Sequence, residues 1–288
     1  GSPLMDGLCH RRLKSAMLCF RTRSDLPMTR ALPRTHLNSS RLTRFLTENA
    51  MIDAAPVADD VGQKLGDWLN FRQAIALHGV LNPEQPSAAP QPAHVRRAGV
   101  MTAEALTRYV DKVRAQLEQS IAQGAPPGSG LARIDMPPAE IDEPIEPKTA
   151  FESYRRFYAA HQRQMESSIQ TLRSQVRGQL SQSSPRLQQL AALDAAFENI
   201  LSEREAVLLG KVSKLHEKRF AQALKQHLKK QAEAADAGAE AMTAPALGVW
   251  LLPMRQAMRT ALLAELDTRL QPVLGLLEAF HTYTPQEQ

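Results

Sequence analysis

A series of basic residues in the second half of the chain has the spacing of one side of a helix, at 3.6 residues per turn. Such cations could neutralise phosphates along a duplex and give salt-dependent, sequence-independent binding. The alternative is the solvated surface of a long helix, with cations favoured toward its C-terminus. Both interpretations stay open for the basic face, which consists of Arg204, Lys211, Lys214, Lys218, Lys225 and Lys229.

A second basic cluster, interrupted by Leu, Thr and Pro, lies near the N-terminus and consists of Arg30, Arg34, Arg41 and Arg44. It could become ordered on nucleic acid or on an acidic partner. The formal net charge is +5. Residues 1–27 hold five basic and two acidic residues, so the chain from Met28 onward carries about +2. The excess of positive charge therefore lies mainly at the N-terminus, and it is weak evidence that the body of the chain binds nucleic acid.

Motifs for catalysis or metal binding are missing from the sequence. It contains no phosphate-binding Gly-rich loop, no nucleophile elbow and no Cys pair at metal-ligand spacing. His216-Glu217 begins like a zinc-protease motif, but Phe220 occupies the place of the second histidine. His161 falls on an apolar helical stripe, where a histidine packed at a helix interface is the simpler interpretation. We therefore expect no catalytic residue, metal, cofactor or small-molecule substrate, and a protein that is not an enzyme.

Two proline-rich stretches divide the chain and read as linkers. The predicted organisation is a leader or tag over 1–27, expected to be disordered, an N-terminal helical module over 28–81, a linker over 82–100, a single helix over 101–123, a linker over 124–148, and a long helical hairpin plus C-terminal helix over 149–282. No segment is long and apolar enough for a membrane span, and the leader is a poor secretion signal, so a cytoplasmic location is expected.

The clearest periodic signal follows Thr149, which with Glu152 could form a capping box. Apolar residues recur there at spacings of three and four, as in a coiled coil. Pro185 then follows Ser184, the order expected when a proline opens a new helix. The fold class is therefore all-α: a long antiparallel hairpin or three-helix bundle with a small N-terminal helical module. Pro253 and Pro272 should limit or kink the last helix.

Helices this long would extend beyond a compact core, so the row of apolar residues along them is predicted to bind a partner. The predicted interface consists of Tyr154, Tyr158, His161, Met165, Ile169, Leu172, Val176, Leu201, Leu208 and Leu215. Farther upstream, one helix is expected from Val61 to about Gly79. Trp68 and Phe71 on it could be a binding hot spot or the core of a small module.

The stretches SSRLTRFL (39–46), LGDWLNF (65–71) and AIAL (74–77) resemble the start of a proteobacterial family of unknown function. Its members are similar to the cytosolic F component of type III Zorya anti-phage defence systems. The resemblance implies pairing with a second cytosolic protein, the G component, and a functional link to a MotA/MotB-like membrane motor. It also implies contact with double-stranded DNA, and it supplies no catalytic residues.

Three hypotheses follow for function. The first is a non-enzymatic helical adaptor or effector subunit of anti-phage defence. The second is a stand-alone basic helical protein that binds DNA as an architectural factor. The third is a hidden nuclease or hydrolase, which would require carboxylates or histidines that converge in the folded structure, and the sequence gives no sign of such a cluster.

Overall fold

All regular structure in the described residues is helical. The computed structural model describes residues 40–53, 61–82, 99–139, 149–236 and 248–283, with the backbone alone for 61–64. These residues belong to one unit, Leu37–Gln288. The predicted all-α class is confirmed. The helices are α1 (Arg41–Glu48), α2 (Val61–Trp68), α3 (Phe71–Leu81), α4 (Ala103–Gln123), α5 (Glu152–Ser183), α6 (Pro185–Asp236), a 3-10 helix η1 (Val249–Leu251) and α7 (Leu252–Tyr283).

Helices α5 and α6 form an antiparallel hairpin. Ser184 separates them, and its hydroxyl accepts a hydrogen bond from Leu187 N at 3.3 Å, so it caps α6, which begins at Pro185. Near the turn, Arg173 on α5 binds Asp194 on α6 at 2.6 Å. At the far end, the rings of Tyr154 and Phe220 lie 6.2 Å apart. The short connection therefore reverses the chain, and Pro185 begins the second helix, as predicted from the sequence.

Helix α7 closes the bundle by packing on α5 and α6, and α4 packs on α5 and α7. Fully buried side chains occur along the whole length of α7, including Met258, Leu262, Leu266, Leu270, Val273 and Phe280. The helix begins next to Pro253 and continues through Pro272. The single helix expected over 101–123 thus buries its stripe inside the bundle.

In the part of the chain that the structure describes, the N-terminal helices do not pack together as one module. Within the described residues, α1 packs on α7 while α3 packs on α6, and α1 does not contact α2 or α3. Each helix is too short to enclose a core, and α1 and α3 each lie on the larger bundle. On α1, the buried residues are Leu42 and Leu46.

Two local predictions are wrong. The helix expected from Val61 to Gly79 is interrupted at Leu69-Asn70, because Asn70 caps α3: its side chain accepts from Gln73 N, and the Gln73 side chain accepts from Asn70 N. The capping box expected for Thr149 and Glu152 does not begin α5. That helix starts at Glu152, whose carboxylate accepts a hydrogen bond from Arg156 at 3.0 Å.

Residues 124–139, predicted as part of a linker, are irregular but packed on the bundle. Leu131, Ile134 and Met136 lie against the core. Gln164 on α5 donates to the Ala132 carbonyl at 3.1 Å, and Tyr154 donates to the Pro138 carbonyl at 2.7 Å. Side-chain contacts, and not regular secondary structure, therefore hold this segment on the bundle. None of the described helices has the length and apolar character needed to cross a membrane.

Candidate interaction surfaces

The α5 part of the predicted partner interface lies inside this chain. Its residues are at most 6% exposed, and they pack in the bundle core: Tyr154, Tyr158, His161, Met165, Ile169, Leu172 and Val176. For these seven the prediction of a partner interface is wrong. A stripe with this spacing packs equally well on a helix of the same chain, and here α6 and α7 cover it. On α6, Leu201 and Leu215 are half-buried, and only Leu208 is exposed.

A different set of apolar side chains faces solvent. On α2 and α3, Trp68 is 37%, Phe71 81% and Ile75 57% exposed. None of the α3 residues is buried, although the helix packs on α6. On α6, Val207 and Leu208 are also more than half exposed. We call these five residues the exposed apolar group.

Arg204 connects the two parts of this group. Its guanidinium donates to the Trp68 carbonyl at 3.1 Å and lies 5.2 Å from the Trp68 ring centroid, a cation-π arrangement. Val207 and Leu208 follow Arg204 by three and four residues, so they lie one turn away on the same side of α6. Farther along, Gln189 donates to the Val80 carbonyl at 3.5 Å, which shows that α3 runs antiparallel to α6.

Most of the predicted basic face is solvent-exposed. Lys211, Lys214, Lys218 and Lys225 are exposed and have no ion-pair partner among the described residues. Lys229 lies 3.7 Å from Glu233 in a solvent-exposed pair. The guanidinium of Arg204 is already bound to Trp68, so the lysines are the cations of the basic face that remain for a ligand.

The N-terminal basic cluster is only partly described. Arg30 and Arg34 lie outside the described residues. Arg41 binds Asp267 on α7 at 2.7 Å, and Arg114 on α4 binds the other oxygen of the same carboxylate at 2.7 Å. Arg41 therefore helps to hold α1 on the bundle, and its contact with nucleic acid stays a prediction. Arg44 is exposed.

A buried polar cluster, which the sequence did not indicate, joins α5 to α7. Glu265 is fully buried and accepts hydrogen bonds from Tyr158, Gln162 and Arg269. Burial raises the pKa of the Glu265 carboxyl, while Arg269 and these donors act to lower it. Glu265 and Arg269 are four residues apart in a leucine-rich helix, and that spacing was the available signal.

Two histidines are also buried close by. Burial lowers the pKa of His161 and of His216 from 6.5 to about 4, and Arg219 adds to the shift at His216. Neither imidazole has a hydrogen-bond partner among the residues that the structure describes. The His216 ring packs 5.3 Å from that of Tyr158. Across the described residues, no three His, Cys, Asp or Glu side chains converge as a metal site would require.

The described residues form a helical bundle that carries the exposed apolar group and the basic face. The chain belongs to the family described as "Protein of unknown function (DUF3348)", whose model matches residues 28–282. No curated protein matches the chain significantly, and neither does any solved structure.

Proposed function

We propose that this chain is a non-enzymatic helical adaptor that binds a second protein through the exposed apolar group. The supporting observation is that Phe71 and Ile75 remain largely exposed on a helix already docked on the bundle. Large exposed apolar patches on folded proteins commonly mark interaction sites, and Trp, Phe and Arg are enriched at the centres of interfaces. Arg204 and Trp68 hold each other in place, so part of the surface is ordered before binding.

The partner proposed is the second cytosolic component of an anti-phage defence system, the G component. This assignment rests on the resemblance of residues 39–77 to the F component of type III Zorya systems. In this proposal the chain acts in the cytoplasm, and the partner connects it to the membrane motor. The chain supplies binding surfaces, and the sequence motifs needed for catalysis are lacking.

Co-expression with the G component followed by size-exclusion chromatography tests this proposal. Wild-type protein should co-elute with the partner. The double variant Phe71→Glu/Ile75→Glu should lose co-elution, because it places two charges at the centre of the surface. Leu228→Glu is the control, since Leu228 is an exposed apolar residue of α6 about 30 Å along the helix from Leu208. Failure of wild-type protein to co-elute, or equal loss with the control, would reject the proposal.

The second candidate function is DNA binding through the basic face. Four exposed lysines without ion pairs on one helix favour it. Binding of duplex DNA, measured by fluorescence anisotropy, should weaken steeply with salt. Changing Lys211, Lys214, Lys218 and Lys225 to Gln should then weaken binding at least tenfold and reduce the salt slope.

A charge-matched control separates this face from general attraction. It changes four exposed basic residues located elsewhere, namely Arg108, Lys112, Arg163 and Lys230, to Gln. If the control weakens binding as much as the lysine variant does, the basic face is not the DNA site.

A further inference from the structure

A cavity of about 260 Å³ opens where the end of α4 meets the 124–139 segment and the first turns of α7. Two arginines of α7, Arg255 and Arg259, line it. Ser120 and Gln123 of α4, Asp135 of the irregular segment and Phe157 of α5 form much of the remaining wall. The cavity is separate from the exposed apolar group and from the lysines of the basic face.

Neither of the two arginines is paired with a carboxylate of the described residues. They are four residues apart, so their side chains project from neighbouring turns of one helix and repel each other. Within the described part of the chain, neither guanidinium forms an ion pair or a hydrogen bond. The Nε atom of Arg259 is also buried without a partner. A buried donor left unsatisfied is costly, and most are paired in native proteins.

The walls of the cavity are held in place by other contacts. Ser120 donates to Gln164 at 3.0 Å, and Gln164 donates to the Ala132 carbonyl at 3.1 Å. Tyr154 binds the Pro138 carbonyl, which secures the other end of the segment. The cavity is therefore formed without a ligand, as binding sites for small molecules usually are.

Asp135 is the one carboxylate among the described residues of the lining. Both of its oxygens accept from Arg133 Nε at 3.0 Å. Its charge is thus partly balanced by a residue outside the cavity, and the positive charge of Arg255 and Arg259 dominates the interior.

We propose that this cavity binds a small phosphate-bearing anion, with Arg255 and Arg259 donating to its oxygens. Guanidinium groups present planar pairs of N–H donors that match phosphate geometry and form strong charge-assisted hydrogen bonds. The volume accommodates inorganic phosphate, pyrophosphate or a small phosphate monoester, whereas a nucleic-acid duplex is excluded by its width. An anion here would supply acceptors for the unpaired donors and offset the repulsion between the two arginines.

The test is isothermal titration calorimetry of the full chain with inorganic phosphate and with pyrophosphate, at ionic strength held constant with NaCl. Saturable one-site binding is expected for at least one of them. Arg255→Gln and Arg259→Gln should each weaken it at least tenfold. Arg163→Gln, which removes an exposed arginine of α5, should leave it unchanged. Asp135→Asn should tighten it severalfold, which a purely structural role for the arginines would not produce.

Three results would overturn the proposal: no saturable binding by the wild-type protein, equal binding of succinate, or equal weakening by Arg163→Gln. If the arginine variants fail to fold, the wild-type protein decides. Phosphate or pyrophosphate must then raise its melting temperature more than succinate at equal ionic strength, as preferential binding to the folded state requires. An equal shift with succinate rejects phosphate recognition.

Discussion

Arg269 and Glu265, one turn apart on α7, form an ion pair inside the bundle, with Arg269 Nη2 2.9 Å from Glu265 Oε1. The Glu265 side chain is fully buried, and that of Arg269 is 8% exposed. Removing Glu265 leaves the buried guanidinium of Arg269 with only the longer contact to the more exposed Glu205, at 3.6 Å. Glu265→Ala should therefore lower the free energy of unfolding by about 3–5 kcal/mol, measured by urea denaturation.

The matched control replaces both charges. Glu265→Leu with Arg269→Met should cost far less than the sum of the single changes, because apolar side chains of similar size need no counter-charge. Additive losses would show that the two residues act independently, contrary to the contact seen here.

The buried histidines predict loss of stability in mild acid. The pKa of His161 and of His216 is about 4 in the folded protein, below the ordinary value of 6.5. Between these values the unfolded chain binds more protons, so stability falls as pH decreases from about 6.5 toward 4. Each histidine contributes a loss of up to about 1.4 kcal/mol per pH unit.

Urea denaturation at pH 7.5 and pH 5.5 measures this effect. Glu265 acts in the opposite direction, since its raised pKa means that the folded protein binds the extra proton, so the histidine contribution is best isolated by substitution. The variant His161→Leu/His216→Leu should show less loss on acidification than wild type. An unchanged pH dependence would contradict the assigned shifts.

Gly248, just before η1, lies against the end of the 124–139 segment. A Cβ atom at this position would lie 3.0 Å from Ala139 Cβ and 3.2 Å from the Ala139 carbonyl oxygen. Gly248→Val should therefore destabilise the fold by about 1–3 kcal/mol in thermal or urea unfolding.

Gly178, in the interior of α5, is the matched control. No atom of a neighbouring described residue lies within 4 Å of a Cβ atom added there. Gly178→Ala should stabilise the protein by about 0.5–1 kcal/mol through helix propensity. If Gly248→Val were neutral, the close approach of the two segments would be wrong.

The long-range architecture was partly predictable because the stripe on α5 and the Ser184-Pro185 connection depend on local spacing. What covers that stripe was not predictable. Met165 or Val176 would show the same periodicity whether the neighbouring helix came from this chain or from another. The surface on which each short helix docks was not predictable either. The ion pair of Arg41 with Asp267, for example, joins residues far apart in sequence.

The exposed apolar group was found only in part. Trp68, Phe71 and Leu208 were each singled out from the sequence, but their relation through Arg204 depends on the docking of α3 on α6. Arg255 and Arg259 carried no signal, since two arginines four residues apart are common on helix surfaces. Their cavity requires residues 124–139 to pack on the bundle, which a proline-rich composition does not predict.

Hydrogen–deuterium exchange of the chain with and without the G component tests the central claim most directly, because it reports both binding and its location. Our account predicts slower exchange on binding in residues 65–81 and in residues 200–210 of α6, with little change in α4. Absence of protection, or protection confined to helices other than α2, α3 and α6, would contradict it.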